Sequence, residues 1–331
     1  NTRARLSARN RGVRRRAEIR DEAQKKVAQR VRVKMKFVVV TGANKGIGLA
    51  IARGLLRDGF FVFLGSRDLG RGESAIKTLD GGLESRAQAL QLDVESDKSV
   101  SSAVEAVKEK LGAGGKLYGL VNNAGVAGGL FENAPAAEAF QSCVGINFGG
   151  TRRVTAAFLP LLDSSEGRVV NVSSAAGPNY VSRCDAEKQT LLCKKEITMA
   201  ELDRVVDENM KIARDGGGDA FGAAGWDSNA YGLSKALVNA YTQLLAREHS
   251  ALKINACTPG FIATDLTESY VKSSGKSAKE LGMKTPDEGA KVVLHLLQSE
   301  LTGNGRFYGS DCLRSPIHKY RAPGDPEYQG E

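Results

Sequence analysis

The chain has 331 residues, of which 41% are hydrophobic and 26% charged, enough for one large α/β domain with a substantial core or for two small ones. Its formal charge of +9 is concentrated at one end: residues 1–36 hold 14 of the 47 Lys+Arg but three of the 38 Asp+Glu, so the body is slightly acidic and offers no broad basic face for nucleic acid. No apolar run approaches the ~18 residues of a membrane helix. Five cysteines without a Cys-x-x-Cys pair, and the scattered His249, His295 and His318, argue against a disulfide framework and against a metal site.

Residues 1–35 form a basic leader with seven arginines before the first acid, Glu18. Too polar to contribute apolar burial, it is expected to be disordered. Three readings are open: an organelle targeting segment, which is Arg-rich and acid-poor in this way; an upstream extension ahead of Met35; and a tail for anionic surfaces. A cytoplasmic location is expected, with a plastid or mitochondrion as the alternative if the leader is a transit peptide.

Beyond the leader, residues 36–331 alternate strands and amphipathic helices, the pattern of a parallel sheet covered on both faces. Phe37 to Thr41 reads as the first strand. Ile47 to Asp58 follows as a helix with Ile47, Ala50, Ile51 and Leu55 on one stripe, and Phe60 to Leu64 as a fully buried second strand. Further strands are predicted at Ala89 to Leu92, Leu117 to Asn122, Arg168 to Val172, Lys253 to Cys257 and Gly305 to Tyr308. Seven strands with helical crossovers predict a single Rossmann-type, doubly wound parallel sheet.

Between the first strand and its helix lies Thr41-Gly-Ala-Asn-Lys-Gly-Ile-Gly48. Gly42, Gly46 and Gly48 let backbone approach a pyrophosphate, whose charge the helix N-terminus favours. At the end of the second strand, Arg67 together with Lys45 offers charge-assisted contacts to a 2′-phosphate, which favours NADPH over NADH. The alternative is that Asp68, one place later, reaches back to the ribose hydroxyl.

Downstream, Tyr231-Gly-Leu-Ser-Lys235 places a phenol and an ammonium on one helix face, where the positive charge is expected to lower the phenol pKa and fit it for general acid catalysis. Either motif alone is too short to be specific. In this order, they point to nicotinamide-dependent carbonyl chemistry.

The ordered set resembles the short-chain dehydrogenase/reductase family over about residues 36 to 310. Thr41 to Gly48, with Asn44, Lys45 and Ile47 inside it, matches that family's Thr-Gly-x-x-x-Gly-x-Gly. Asp93-Val94 matches its adenine-contacting pair. Asn122-Asn123-Ala124-Gly125 matches the motif after its fourth strand, with Asn122 largely structural, and Pro259, Gly260 and Thr264 match the segment beside the nicotinamide. The resemblance implies a catalytic set of Asn147, Ser174, Tyr231 and Lys235, with Lys235 also on the nicotinamide ribose and Asn147 holding a water that re-supplies the proton. Ser173 and Ser174 are adjacent, and strand alternation sends only one of them into the site; alignment on Asn171-Val172 favours Ser174.

Ser174 and Tyr231 lie 57 positions apart, where the family usually has about a dozen, so a helical insertion occupies about residues 176–225. Thr198-Met-Ala-Glu201 is a capping box, Leu202, Val205, Val206, Met210 and Ala213 follow at helical spacing, and Asp215-Gly-Gly-Gly-Asp219 ends that helix. The insertion resembles that of the monomeric NADPH carbonyl reductases and of the salutaridine and menthone reductases, which implies a monomer and a small-molecule carbonyl substrate. Two functions remain at this stage: an NADPH-dependent reductase of ketones, aldehydes or quinones, or a non-catalytic NADPH-binding sensor or scaffold of the same fold.

Overall fold

The computed structural model describes residues 35–127 and 135–330; the expectations for the leader lie outside them. The elements run in chain order as β1 (Phe37–Val40), α1 (Gly46–Arg57), β2 (Phe61–Ser66), α2 (Leu69–Lys77), β3 (Ala87–Gln91), α3 (Asp97–Leu111) and β4 (Gly119–Asn122). Then follow α4 (Ala136–Cys143), a π-helical stretch Val144–Gly150, α5 (Thr151–Phe158), β5 (Arg168–Val172), α6 (Ala176–Val181), α7 (Ala186–Cys193), α8 (Met199–Arg214) and α9 (Asp219–Ala223). The last are α10 (Ala230–Glu248), β6 (Lys253–Cys257), α11 (Glu268–Ser274), α12 (Pro286–Gln298), β7 (Phe307–Tyr308) and β8 (Arg314–Ser315).

The strands form one sheet in the order β3-β2-β1-β4-β5-β6-β7-β8, parallel from β3 to β7. The sheet thus has eight strands rather than the seven expected, because β8 pairs antiparallel with β7. Two residues are too few to show alternation, so β8 left no pattern in the sequence. Its partner β7 is also shorter than the predicted Gly305 to Tyr308.

Successive side chains enter two separate cores, as a sheet covered on both faces requires. Along β2, Phe61 and Phe63 face one core with Val104, Leu120 and Phe158, whereas Val62 and Leu64 face the other with Ile51, Leu55 and Val293. Tyr118 reaches across to donate its hydroxyl to the Leu297 carbonyl at 2.6 Å. The order in which strands are added reverses between β1 and β4, opening a crevice at the carboxyl ends of these parallel strands where such sheets bind ligands.

The insertion is the expected helical layer. The Thr198–Glu201 capping box opens α8, Leu202, Val205 and Ala213 are buried, and Val206 and Met210 pack against the same core. Gly216, Gly217 and Gly218 all have positive φ, which stops the helix at little steric cost. Phe221 of α9 stacks on Phe140 of α4 with ring centroids 4.8 Å apart, fixing the insertion to the body. Among the described residues no helix is long and apolar enough to cross a membrane.

Candidate active site

The turn after β1 and the loop after β4 are locked together. Thr41 Oγ1 accepts the amides of Asn123 and Ala124, both at 2.9 Å, and Asn123 Nδ2 donates to the carbonyls of Thr41 and Gly42. Gly42 has φ of 60°, and a Cβ there would lie 2.9 Å from the Ala124 Cα; one on Gly48 would lie 2.4 Å from the Gly42 carbonyl oxygen. These contacts explain why only glycine fits. At the start of α1 no side chain caps the first turn and no acid occupies it, so its amides remain available to an anion.

A cavity of about 450 Å³ opens over this turn. Gly42, Asn44, Lys45, Gly46, Ile47 and Gly48 form one wall, Arg67, Asp93 and Val94 another, and Asn123, Ala124, Gly125 and Thr264 a third. Thirteen of the predicted cofactor residues therefore converge. Pro259 and Gly260, which follow β6, are not in its walls; Tyr231 and Lys235 lie beyond it, although a Cβ on Gly125 would come within 3.7 Å of Lys235 Nζ.

Four side chains meet past the inner end of this cavity. Asn147 sits in the π-helical stretch, a form of helix frequent at functional sites. Its amide takes the Val126 N–H at 2.8 Å and donates to the Val126 carbonyl and to Ser234 Oγ, each at 2.9 Å. Ser174, just past β5, hydrogen-bonds the Tyr231 phenol. The Ser173 hydroxyl instead donates to the Lys235 carbonyl at 3.1 Å. On α10, capped by Asn229 through the Gly232 amide at 2.8 Å, Tyr231 and Lys235 share a face, and the Lys235 ammonium lies 5.6 Å from the Tyr231 ring centroid.

Residues 36–185 match the short chain dehydrogenase family model. The (+)-neomenthol dehydrogenase of Arabidopsis thaliana is 36% identical over 298 residues, covering 82% of this chain and 95% of that protein. The chain belongs to the short-chain dehydrogenase/reductase family. Carbonyl reductase [NADPH] 3 of Rattus norvegicus is 34% identical over 79% of this short-chain dehydrogenase/reductase and 90% of its own length. The solved salutaridine reductase of Papaver somniferum superimposes with a TM-score of 0.69 at 29% identity, covering 82% of this chain and 99% of that one. This family member is accordingly an oxidoreductase that works with a nicotinamide cofactor, within the carbonyl reductase and neomenthol dehydrogenase branch.

The cavity fits such a cofactor: its Cβ-free turn, uncapped helix start and the exposed Arg67 and Arg71 in its wall are what a dinucleotide phosphate requires. At the ribose end, Asp68 Oδ1 accepts the Arg71 amide at 2.8 Å and caps α2. Sequence reasoning missed Arg71, which lines the same wall as Arg67 and, like it, is exposed and forms no ion pair among the described residues. Its position four places after Arg67, on the first turn of α2, was the available signal. Lys45 is already engaged, 2.5 Å from Asp265 Oδ2, and holds that carboxyl below its ordinary range.

One expectation about the catalytic set changes. The phenol pKa is raised rather than lowered: burial pushes Tyr231 up to about 12, opposed by its Ser174 hydrogen bond, and Lys235 Nζ donates to the Val172 carbonyl at 2.9 Å. Burial also brings Lys235 down to about 8. The reason is desolvation, which penalises both charged forms and outweighs a cation placed over the ring rather than beside the hydroxyl. Both amide protons of Asn147 go to protein acceptors, so its side chain holds the loop after β4 against α10.

Proposed function

We propose that this short-chain dehydrogenase/reductase is an NADPH-dependent carbonyl reductase acting on a ketone, aldehyde or quinone. The observation that carries the reading is the Ser174–Tyr231 hydroxyl pair, set beyond the dinucleotide cavity with an ammonium buried behind it. When bound, the reduced nicotinamide supplies hydride to a carbonyl carbon. Negative charge then growing on the carbonyl oxygen is met by Tyr231 Oη, which gives up its proton, and by Ser174 Oγ, which donates a hydrogen bond. A phenol held up to about 12 stays protonated at neutral pH, the form in which reduction must start. Lys235 Nζ, anchored on the Val172 carbonyl, is placed to bind ribose hydroxyls and to stabilise the phenolate once it forms. Asn147 keeps Val126 and Ser234 in register around these groups.

Preference for NADPH is supported by the exposed guanidinium groups of Arg67 and Arg71 and by the commitment of Asp68 to its helix cap. A monomer is supported by α10, almost all of whose residues are buried, and by α8, whose core joins that of α10. The test is cofactor oxidation with NADPH and with NADH over a panel of ketones, aldehydes and quinones, with product analysis. Turnover with NADPH well ahead of NADH is expected. Cofactor binding without turnover on any member would favour the sensor or scaffold.

A further inference from the structure

A second cavity, of about 680 Å³, shares no wall with the dinucleotide cavity or with the four catalytic side chains. It forms where the end of α7, the last turns of α10, the start of β7 and the segment around β8 come together. Lys195, Arg247, Arg306 and Arg314 bring four cationic groups to its walls, and Glu196 is the one acid there. Its size is that of a small-molecule site.

Among the described residues Arg247, Arg306 and Arg314 have no counter-ion. Arg247 donates to the Lys195 and Ile197 carbonyls, and Arg314 donates to the Gly330 carbonyl while lying 5.8 Å from the Tyr328 ring centroid. Glu327, the nearest further acid, accepts the Arg314 backbone amide at 3.1 Å rather than its guanidinium. Arg306, half-buried, makes no side-chain hydrogen bond or ion pair among the described residues. Guanidinium groups gathered in a concave site that holds a single carboxylate, Glu196, repel one another and focus positive potential into it.

The charge calls for one kind of occupant, an oxyanion, and guanidinium forks match carboxylate and phosphate geometry.

We propose that this cavity is a second ligand site, taking a small di- or polyanion through Arg306 and Arg314. The site stands independently of the reductase reading. Calorimetric titration of the full chain, saturated with NADP⁺ to block the dinucleotide cavity, with inorganic pyrophosphate and with citrate at matched ionic strength, tests it. Saturable 1:1 binding of at least one probe is expected, weakening with added salt. Binding to pyrophosphate alone assigns a phosphate ligand, and to citrate alone a polycarboxylate. Arg306→Gln should weaken it by about tenfold or more, the scale of a charge-assisted contact, and Arg306→Lys by less. Arg67→Ala should leave it unchanged. Failure of both probes to saturate, or loss in Arg67→Ala with retention in a folded Arg306→Gln, overturns the proposal.

Discussion

The dinucleotide half and the inserted helices are held in place by different kinds of contact. Around the glycine turn the constraint is backbone on backbone: Gly42 and Gly48 face main-chain atoms closer than any Cβ tolerates, and Thr41 and Asn123 tie two loops through main-chain groups. In the insertion the constraint is side-chain volume, with Phe221 on Phe140 and with Leu202, Val205 and Trp226 buried in a shared core. A backbone constraint admits one residue type and leaves a motif. A packing constraint admits many apolar residues and leaves only a period. The first region should therefore respond to substitution through cofactor affinity, and the second through stability.

The largest expected effect lies between the two regions, at the phenol on α10. Tyr231→Phe should keep the fold and cofactor binding while lowering kcat by about a hundredfold or more, the range of one positioned proton donor. Near-normal turnover in single-turnover assays would remove the phenol from its role. Phe221→Ala tests the insertion: loss of a fully buried ring should cost about 3–5 kcal/mol in denaturant unfolding, with NADPH affinity of the folded fraction unchanged. A parallel drop in cofactor affinity would show that the two regions are coupled rather than separately built.

Arg67→Ala sharpens the comparison from the dinucleotide side. It should shift the kcat/KM ratio of NADPH to NADH by about tenfold or more toward NADH without altering the unfolding midpoint. An unchanged ratio would take Arg67 out of the site, leaving Arg71 to carry the preference. The smallest effect concerns the buried ammonium. The folded-state pKa of Lys235 is lowered from 10.5 to about 8, so the folded protein releases this proton first, and the cost of burying the charge is present below about pH 8 and relieved toward 10.5. Cofactor-free Lys235→Met should be more stable than the parent at pH 7, with the gap closing across that window. A gap independent of pH would mean that folding does not shift the Lys235 pKa.

Tyr231 and Lys235 show where legibility ended within the catalytic set itself. Their four-residue spacing fixed that they share a helix face, and the structure keeps it. Spacing carries no information on desolvation, and burial raises the phenol pKa where the spacing alone suggested a fall. Asn147 was legible as a site residue, but its saturation by Val126 and Ser234 depends on a loop and a helix that are 21 and 87 residues away.

By itself the sequence determined the alternation of strands and helices, the Cβ-free turn and the Thr198 capping box, because each follows from a local period or a local steric limit. Tertiary structure decided that β8 exists, that Asp68 caps α2, that Arg71 joins Arg67 and that Lys45 meets Asp265. It also gathered Arg247, Arg306 and Arg314 around Ser315 from three separate elements. Charge–charge proximity and desolvation depend on distance in space, and no local pattern encodes a distance between residues that the fold alone brings together.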